Sequence, residues 1–293
     1  QSHAAGSALP FRARHLTHRS INFTFPVLPG QEQSLYFRVE STSSLQFPLS
    51  LGSMDYFTAE SQRSLFVAGM YYGLMLMIAI YSFTVWYSSR EPGFLYFFIV
   101  VVCGALYTLS AQGLAYQYLW PESPGWANGA TGVFVLLACT VGMLFVRSFL
   151  NLRSLDERLD TWTRYYTIAV ALAVAVAVLS NAAIANRLAL FFAFGLTALV
   201  TFSAFLAHRK QVREASFFMS AWIILLLGIF LEIIQRLGVI IPPLLAYNGI
   251  QLSALASITV LALGLSDRLQ GMMDGYRADR KSTRLNSSHV KRS

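Results

Sequence analysis

The sequence predicts a membrane-embedded all-α fold: a bundle of seven transmembrane helices preceded by a few antiparallel β-strands. Three observations carry that expectation. Of the 293 residues, 55% are hydrophobic and only 12% are charged, with a mean hydropathy of +0.52, whereas a soluble domain carries about 25% charged residues. The apolar residues are clustered, leaving polar stretches before residue 64 and after residue 267. Seven apolar runs each come close to the roughly 20 residues that a helix needs to cross a bilayer.

Residues 1–18 carry no periodic pattern and read as a disordered or truncated start. Residues 19–60 read as the C-terminal part of a β-domain. Ile21, Phe23 and Phe25 alternate with Asn22 and Thr24, and Leu35, Phe37 and Val39 alternate with Tyr36, Arg38 and Glu40. Leu45, Phe47, Leu49 and Leu51 continue the two-residue period, and Pro29-Gly30 marks a turn between the first two runs. Three strands burying one face need a second sheet, so a larger β-domain is expected upstream. Gln1 in first place, with no apolar leader behind it, adds the expectation of a cut or processed N-terminus.

The helical domain is expected over residues 65–266. Its spans fall near Leu65–Tyr87, Phe94–Leu114, Trp126–Leu150, Arg164–Ser180, Leu188–Ala207, Ser216–Gln235 and Leu245–Ser266. Short connections make consecutive helices antiparallel neighbours. Residues 267–278 read as the start of a signalling helix, and 279–293 as an artefactual tail. Asp279 to His289 spells DRKSTRLNSSH, which resembles a translated sequencing adapter, and the natural chain is expected to continue past Ala278.

The formal net charge of +8 does not indicate nucleic-acid binding. Arg280, Lys281, Arg284, Lys291 and Arg292 lie in that tail, and without them and Asp279 the excess is +4. Most remaining basic residues flank apolar spans. With the N-terminus outside, the inside carries Arg90, Arg147, Arg153, Arg158, Arg164, Arg209, Lys210, Arg213, Arg268 and Arg277, against Arg63, Arg187 and Arg236 outside. That bias places the C-terminus in the cytoplasm. Trp86, Trp120, Trp126 and Trp162 fall near span ends, where indoles favour the interface.

No enzyme motif is present: there is no phosphate-cradling glycine loop and no HEXXH-type pair. Cys103 and Cys139 sit inside apolar spans and read as packing residues. His3, His15, His18, His208 and His289 lie outside the bundle or at its edges, so no metal and no cofactor is expected. Gly69 and Gly73, one turn apart on the first span, are candidate helix-packing positions, within the bundle or between copies. Glu232, Gln235 and Arg236 form a candidate polar site at the outer end of the sixth span. Glu232 and Arg236 are spaced to pair on one face, and an intramembrane carboxylate is also a candidate ligand or proton site. Gln112, Asn248 and Gln251 read as interhelical hydrogen-bonding amides, and Arg147 to Arg164 as a solvated turn or short helix.

On the last span, Leu255, Ile258, Ala262, Leu265, Leu269, Met272 and Tyr276 follow the three- and four-residue spacing of a coiled-coil seam. Leu265, Leu269, Met272 and Tyr276 are therefore candidate relay residues, through which a shift or rotation leaves the membrane. The same seam points to a homodimer through the C-terminal helix.

Three stretches resemble a known family, the bacterial seven-transmembrane receptors with diverse intracellular signalling modules. They are Tyr36-Phe37-Arg38-Val39 with Ser41 and Pro48-Leu49; Gly69-Met70-Tyr71-Tyr72-Gly73; and Leu263-Gly264-Leu265-Ser266-Asp267-Arg268-Leu269. The resemblance implies a periplasmic jelly-roll-like sandwich that binds carbohydrate or another small ligand. It also implies a cytoplasmic output domain, commonly a diguanylate cyclase or histidine kinase. An odd number of spans suits a signal passing from an outer domain to an inner one. The reading is thus a signal-sensing receptor module of the bacterial inner membrane, with the lipid bilayer as partner and no catalysis of its own. The alternative is a multi-pass transporter or channel, which paired deep charges or an internal repeat would favour.

Overall fold

A computed structural model describes residues 5–14, 16–26, 30, 34, 36–40, 49, 51–212, 214–236 and 249–271. Among these the regular structure is helical, with no strand. After a 3-10 turn at Phe11–Ala13 come α1 (Met54–Ser89), α2 (Pro92–Ala111), α3 (Leu114–Tyr118), α4 (Pro124–Phe149) and α5 (Leu152–Leu155). They are followed by α6 (Glu157–Leu179), α7 (Ala182–Arg209), α8 (Ala215–Arg236) and α9 (Gly249–Gly271). Seven of these, α1, α2, α4, α6, α7, α8 and α9, are long and apolar enough to cross a bilayer. Each expected span coincides with one of them.

Local chemistry sets the helix ends. Pro92 and Pro124 open α2 and α4 at the one position where a missing N–H costs nothing. Ser53 Oγ accepts the Tyr56 N–H at 3.2 Å at the head of α1, and Asn181 Oδ1 accepts the Ile184 N–H at 3.0 Å at the head of α7. Arg90, Asn151 and Gln211, just past α1, α4 and α7, take left-handed φ of 57°, 47° and 57°. That conformation turns the chain sharply away from a helix axis.

Two expectations are corrected at the N-terminal side. Residues 54–60, assigned to the β-stretch, belong to α1. Their sequence has no two-residue alternation, Ser53 caps them, and Asp55 complements the positive end of the helix dipole. The described parts of the alternating runs, 21–26, 36–40, 49 and 51, show no strand, while Leu35, Leu45 and Phe47 lie outside the described residues. A strand is held by a neighbour's backbone, and no such neighbour lies among the described residues.

The chain divides into two compact units. The first comprises Gln1–Gly73, Val102–Val141 and Tyr165–Leu196. Its core packs Val133, Leu136 and Cys139 of α4 against Val170, Ala173 and Ala177 of α6 and Ala185 and Ala189 of α7. The alanines let backbones approach closely, which is how helices associate where lipid removes the hydrophobic drive. The approach is tightest at Gly132, where an added Cβ would stand 2.8 Å from the Ala185 carbonyl.

The second unit comprises Leu74–Val101, Gly142–Arg164 and Thr197–Ser293. A run of rings fills it, from Phe97 to Phe145 at 5.4 Å, on to Phe149 at 5.3 Å and to Phe218 at 5.8 Å.

Glycine substitutions separate the close contacts from the open positions. Gly132→Ala drives a methyl into fixed backbone and is expected to destabilise the protein by about 1–3 kcal/mol. Gly69→Ala and Gly73→Ala meet nothing within 4 Å among the described residues and should raise stability by about 0.5–1 kcal/mol, alanine being the better helix former. Thermal unfolding of the three variants in detergent checks this.

Candidate functional site

The last transmembrane helix leaves its apolar span at Ser266-Asp267-Arg268, and in the second unit this is where polar contacts converge. Arg268 Nη1 donates to the Ser148 carbonyl at 2.8 Å and to the Phe149 carbonyl at 3.3 Å. Those are the last two residues of α4, whose carbonyls have no partner within their own helix and carry the negative end of its dipole. Nη2 of the same guanidinium pairs with Glu91 Oε1 at 3.2 Å, in the tight α1–α2 turn. One side chain thus ties α9 to two other elements.

Neighbouring contacts fix the same stretch. Ser266 Oγ donates to the Ala262 carbonyl at 2.9 Å, which leaves it to accept the Tyr81 hydroxyl at 2.7 Å. Leu265 is fully buried, with Cδ1 over the face of Gly93. An added Cβ on Gly264 would stand 2.8 Å from Phe217 Cβ. Every residue from 264 to 266 is held by another helix of the unit.

A second ionic cluster lies beside it. Arg147 Nε and Nη2 donate to Asp160 Oδ1 at 3.0 and 2.8 Å, and Arg164 approaches Oδ2 at 3.6 Å. Asp160 is only 6% exposed, so the stretch from 147 to 164, expected to be solvated, is partly buried. Arg147 meets one carboxylate oxygen with two N–H groups and Arg164 faces the other, so the charge withdrawn from water is paired. The short helix expected there is α5. Asp156 caps α6 by accepting the Leu159 N–H at 2.9 Å, and that bond holds its carboxyl below the usual range. Lys210 donates to the Leu155 carbonyl at the end of α5. An open cleft of about 410 Å³ is lined by Asn151, Ser154, Lys210, Glu214 and Arg268 among others.

Of the candidate relay residues, Leu265 lies at the centre of this site, Leu269 is half-buried one turn on, and Met272 and Tyr276 lie outside the described residues. The seam is therefore used within the chain at Leu265. Glu232 and Gln235 are half-buried on the last turns of α8, Glu232 with an interaction partner, while the Arg236 side chain lies outside the described residues. Gly69 and Gly73 are exposed with open space before them. Among the described residues no atom of another helix lies within 4 Å of a Cβ added at either. Arg268 enters the sequence reading among the inside basic residues and Asp160 within the 147–164 stretch, whereas Glu91 is not singled out there; their partners, distant along the chain, give them a role. Among the described residues no group of His, Cys, Asp and Glu is placed to hold a metal.

The model of the family described as 7TM diverse intracellular signalling matches residues 64–268, ending on Arg268. A second, described as 7TMR-DISM extracellular 2, matches residues 1–53. No curated protein and no solved structure matches the chain.

The Arg268 contacts predict a graded result. Arg268→Ala should cost about 1–3 kcal/mol, since charge-assisted bonds to carbonyls and carboxylate go together. Glu91→Ala should cost less, and the cycle of both should show a coupling of about 1 kcal/mol. Denaturation of the four proteins in one detergent measures it.

Proposed function

The chain belongs to the 7TM diverse intracellular signalling family, and from that premise we propose that it relays a stimulus across the bacterial inner membrane through the exit of α9. The family match and the seven apolar helices make it a membrane sensor module. The observation that carries the relay is Arg268, which joins α9 to the end of α4 and to the α1–α2 turn. A stimulus that favours one arrangement of these helices shifts α9, and it does so only by its differential affinity for the two arrangements.

The proposed orientation puts the N-terminal region in the periplasm and α9's end in the cytoplasm, supported by the bias of basic residues along the loops. The region of residues 1–53 that matches the extracellular family would be part of the sandwich that takes a small ligand such as a carbohydrate. Beyond α9 the full-length receptor would carry the output domain, a diguanylate cyclase or histidine kinase, paired in a homodimer through the helix that continues from Leu269. This chain itself catalyses nothing in that scheme.

Reporter fusions test the orientation: a cytoplasmic signal at Lys210 and a periplasmic one at Asn181 are expected, and the reverse would sink the receptor layout. Reading the gene past the codon for Ala278 tests the output. A frame entering a catalytic domain supports the relay to an attached output, and a stop there rules it out.

A further inference from the structure

In the first unit the segment before α1 is held to that helix by two adjacent side chains. His18 Nε2 meets Ser61 Oγ at 3.1 Å, and Arg19 donates to Ser64 Oγ. Ser61 and Ser64 are three apart and so share one face of α1. The edge of Phe57 stands against the His18 ring at 5.0 Å between centroids. From behind, Arg14 Nη1 donates to the carbonyls of His18 and Arg19 at 2.8 and 2.7 Å, its guanidinium lying over Phe11 and Tyr116.

The other ring nitrogen fixes the protonation state. His18 Nδ1 accepts the Ser20 backbone N–H at 3.0 Å and the Asn22 amide at 3.0 Å. The same Asn22 nitrogen also donates to the Ser20 carbonyl at 3.1 Å, which settles which end of the amide faces the ring. A nitrogen that accepts N–H bonds carries no proton, so the proton of the neutral ring is on Nε2, donated to Ser61. Adding a proton at Nδ1 sets N–H against N–H and puts a third cation beside Arg14 and Arg19.

No described carboxylate pairs with His18. Glu122 pairs with Arg12 at 2.8 Å, and on α1 both Glu60 and Arg63, either side of Ser61, are exposed. Tyr116 of α3 faces Arg14. His15 lies outside the described residues.

We propose that His18 is a proton-sensing residue and that acidification is a stimulus of this receptor, protonation of Nδ1 releasing the segment around His18 from α1. That the release is a stimulus rests on the receptor reading above; the proton site does not. Burial, and then the charges of Arg19 and Arg14, lower the ring's pKa below 6.5, a backbone contact to Ser20 offsetting part of this. The released segment therefore binds a proton more readily than the docked one. Docking is at full strength above about pH 6.5 and weakens as pH falls through the window below it.

The test uses the full chain in lipid nanodiscs with a nitroxide on Thr17→Cys, Cys103 and Cys139 being buried. Label mobility is expected to rise as the pH is lowered from about 8 to about 5, and His18→Gln should abolish the transition. Asn22→Ala removes one donor facing Nδ1 and should move the midpoint upward, which keeps the test open if His18→Gln fails to fold. A flat wild-type profile, or one unchanged by His18→Gln, overturns the proton site. A label on Gln270→Cys of α9 separates the two readings: a transition at 17 with silence at 270 overturns acidification as a stimulus and leaves the site standing. Reversed topology fusions would sink the receptor reading without touching the response at 17.

Discussion

Within a bilayer's hydrocarbon there is no water to satisfy a backbone N–H or carbonyl, and everything else in this chain follows from that constraint. It turns each apolar run into a helix and moves the unsatisfied groups to the helix ends. The cations of the second unit sit where those ends gather. Arg268 meets the last carbonyls of α4 and Lys210 the last carbonyl of α5. Each places positive charge at the negative end of a helix. Beside the buried packing of each unit, cations at the helix ends thus add ties between helices, and Arg268 among them stays half-buried.

The seven helices are legible in the sequence because the signal repeats: a long apolar run has one meaning in a bilayer. Helix starts are less legible: Pro92, Pro124 and Asn181 set them locally, whereas the apolar runs alone begin later, at Phe94, Trp126 and Leu188. What fails is whatever depends on a distant partner. The alternation around Ile21 and Phe37 describes a strand only if another backbone lies beside it. Asp160 looks like one more charge in a polar turn until Arg147 is found against it. Gly69 and Gly73 have the spacing of a packing motif, but spacing does not say whether another helix comes to meet it. Gly132 has no such spacing and yet lies close against the Ala185 backbone.

Arg268 is the instructive case. In the sequence it enters the tally that sets orientation and the stretch that carries the family resemblance, with no contact assigned to it. Its contacts with Glu91 and the carbonyls of 148 and 149 join positions more than a hundred residues apart, beyond the reach of any local pattern. Leu265, by contrast, was legible as a seam position, and within this chain it packs against Gly93. A heptad spacing identifies the face of a helix that is used and not what uses it.

Strength decides what these contacts can do. A fully buried ion pair loses 3–5 kcal/mol or so when one partner is removed, which suits a fixed joint. Arg268 and Glu91 keep side-chain exposures of 19% and 22%, so water competes for both and the net hold is about 1–3 kcal/mol. Coupling between sites in known switches has the same size. A joint of that strength is stable at rest and reversible by a modest stimulus. The N-terminal clamp on α1 is built on the same scale, from a His–Ser contact and an Arg–Ser contact. α1 carries Ser61 and Ser64 near its start, in the first unit. A helix transmits tilt or rotation along its length at little cost, because deforming it breaks the bonds that the lipid cannot replace. Joints of that strength suit the proposed relay, because they hold at rest and a modest stimulus can reverse them.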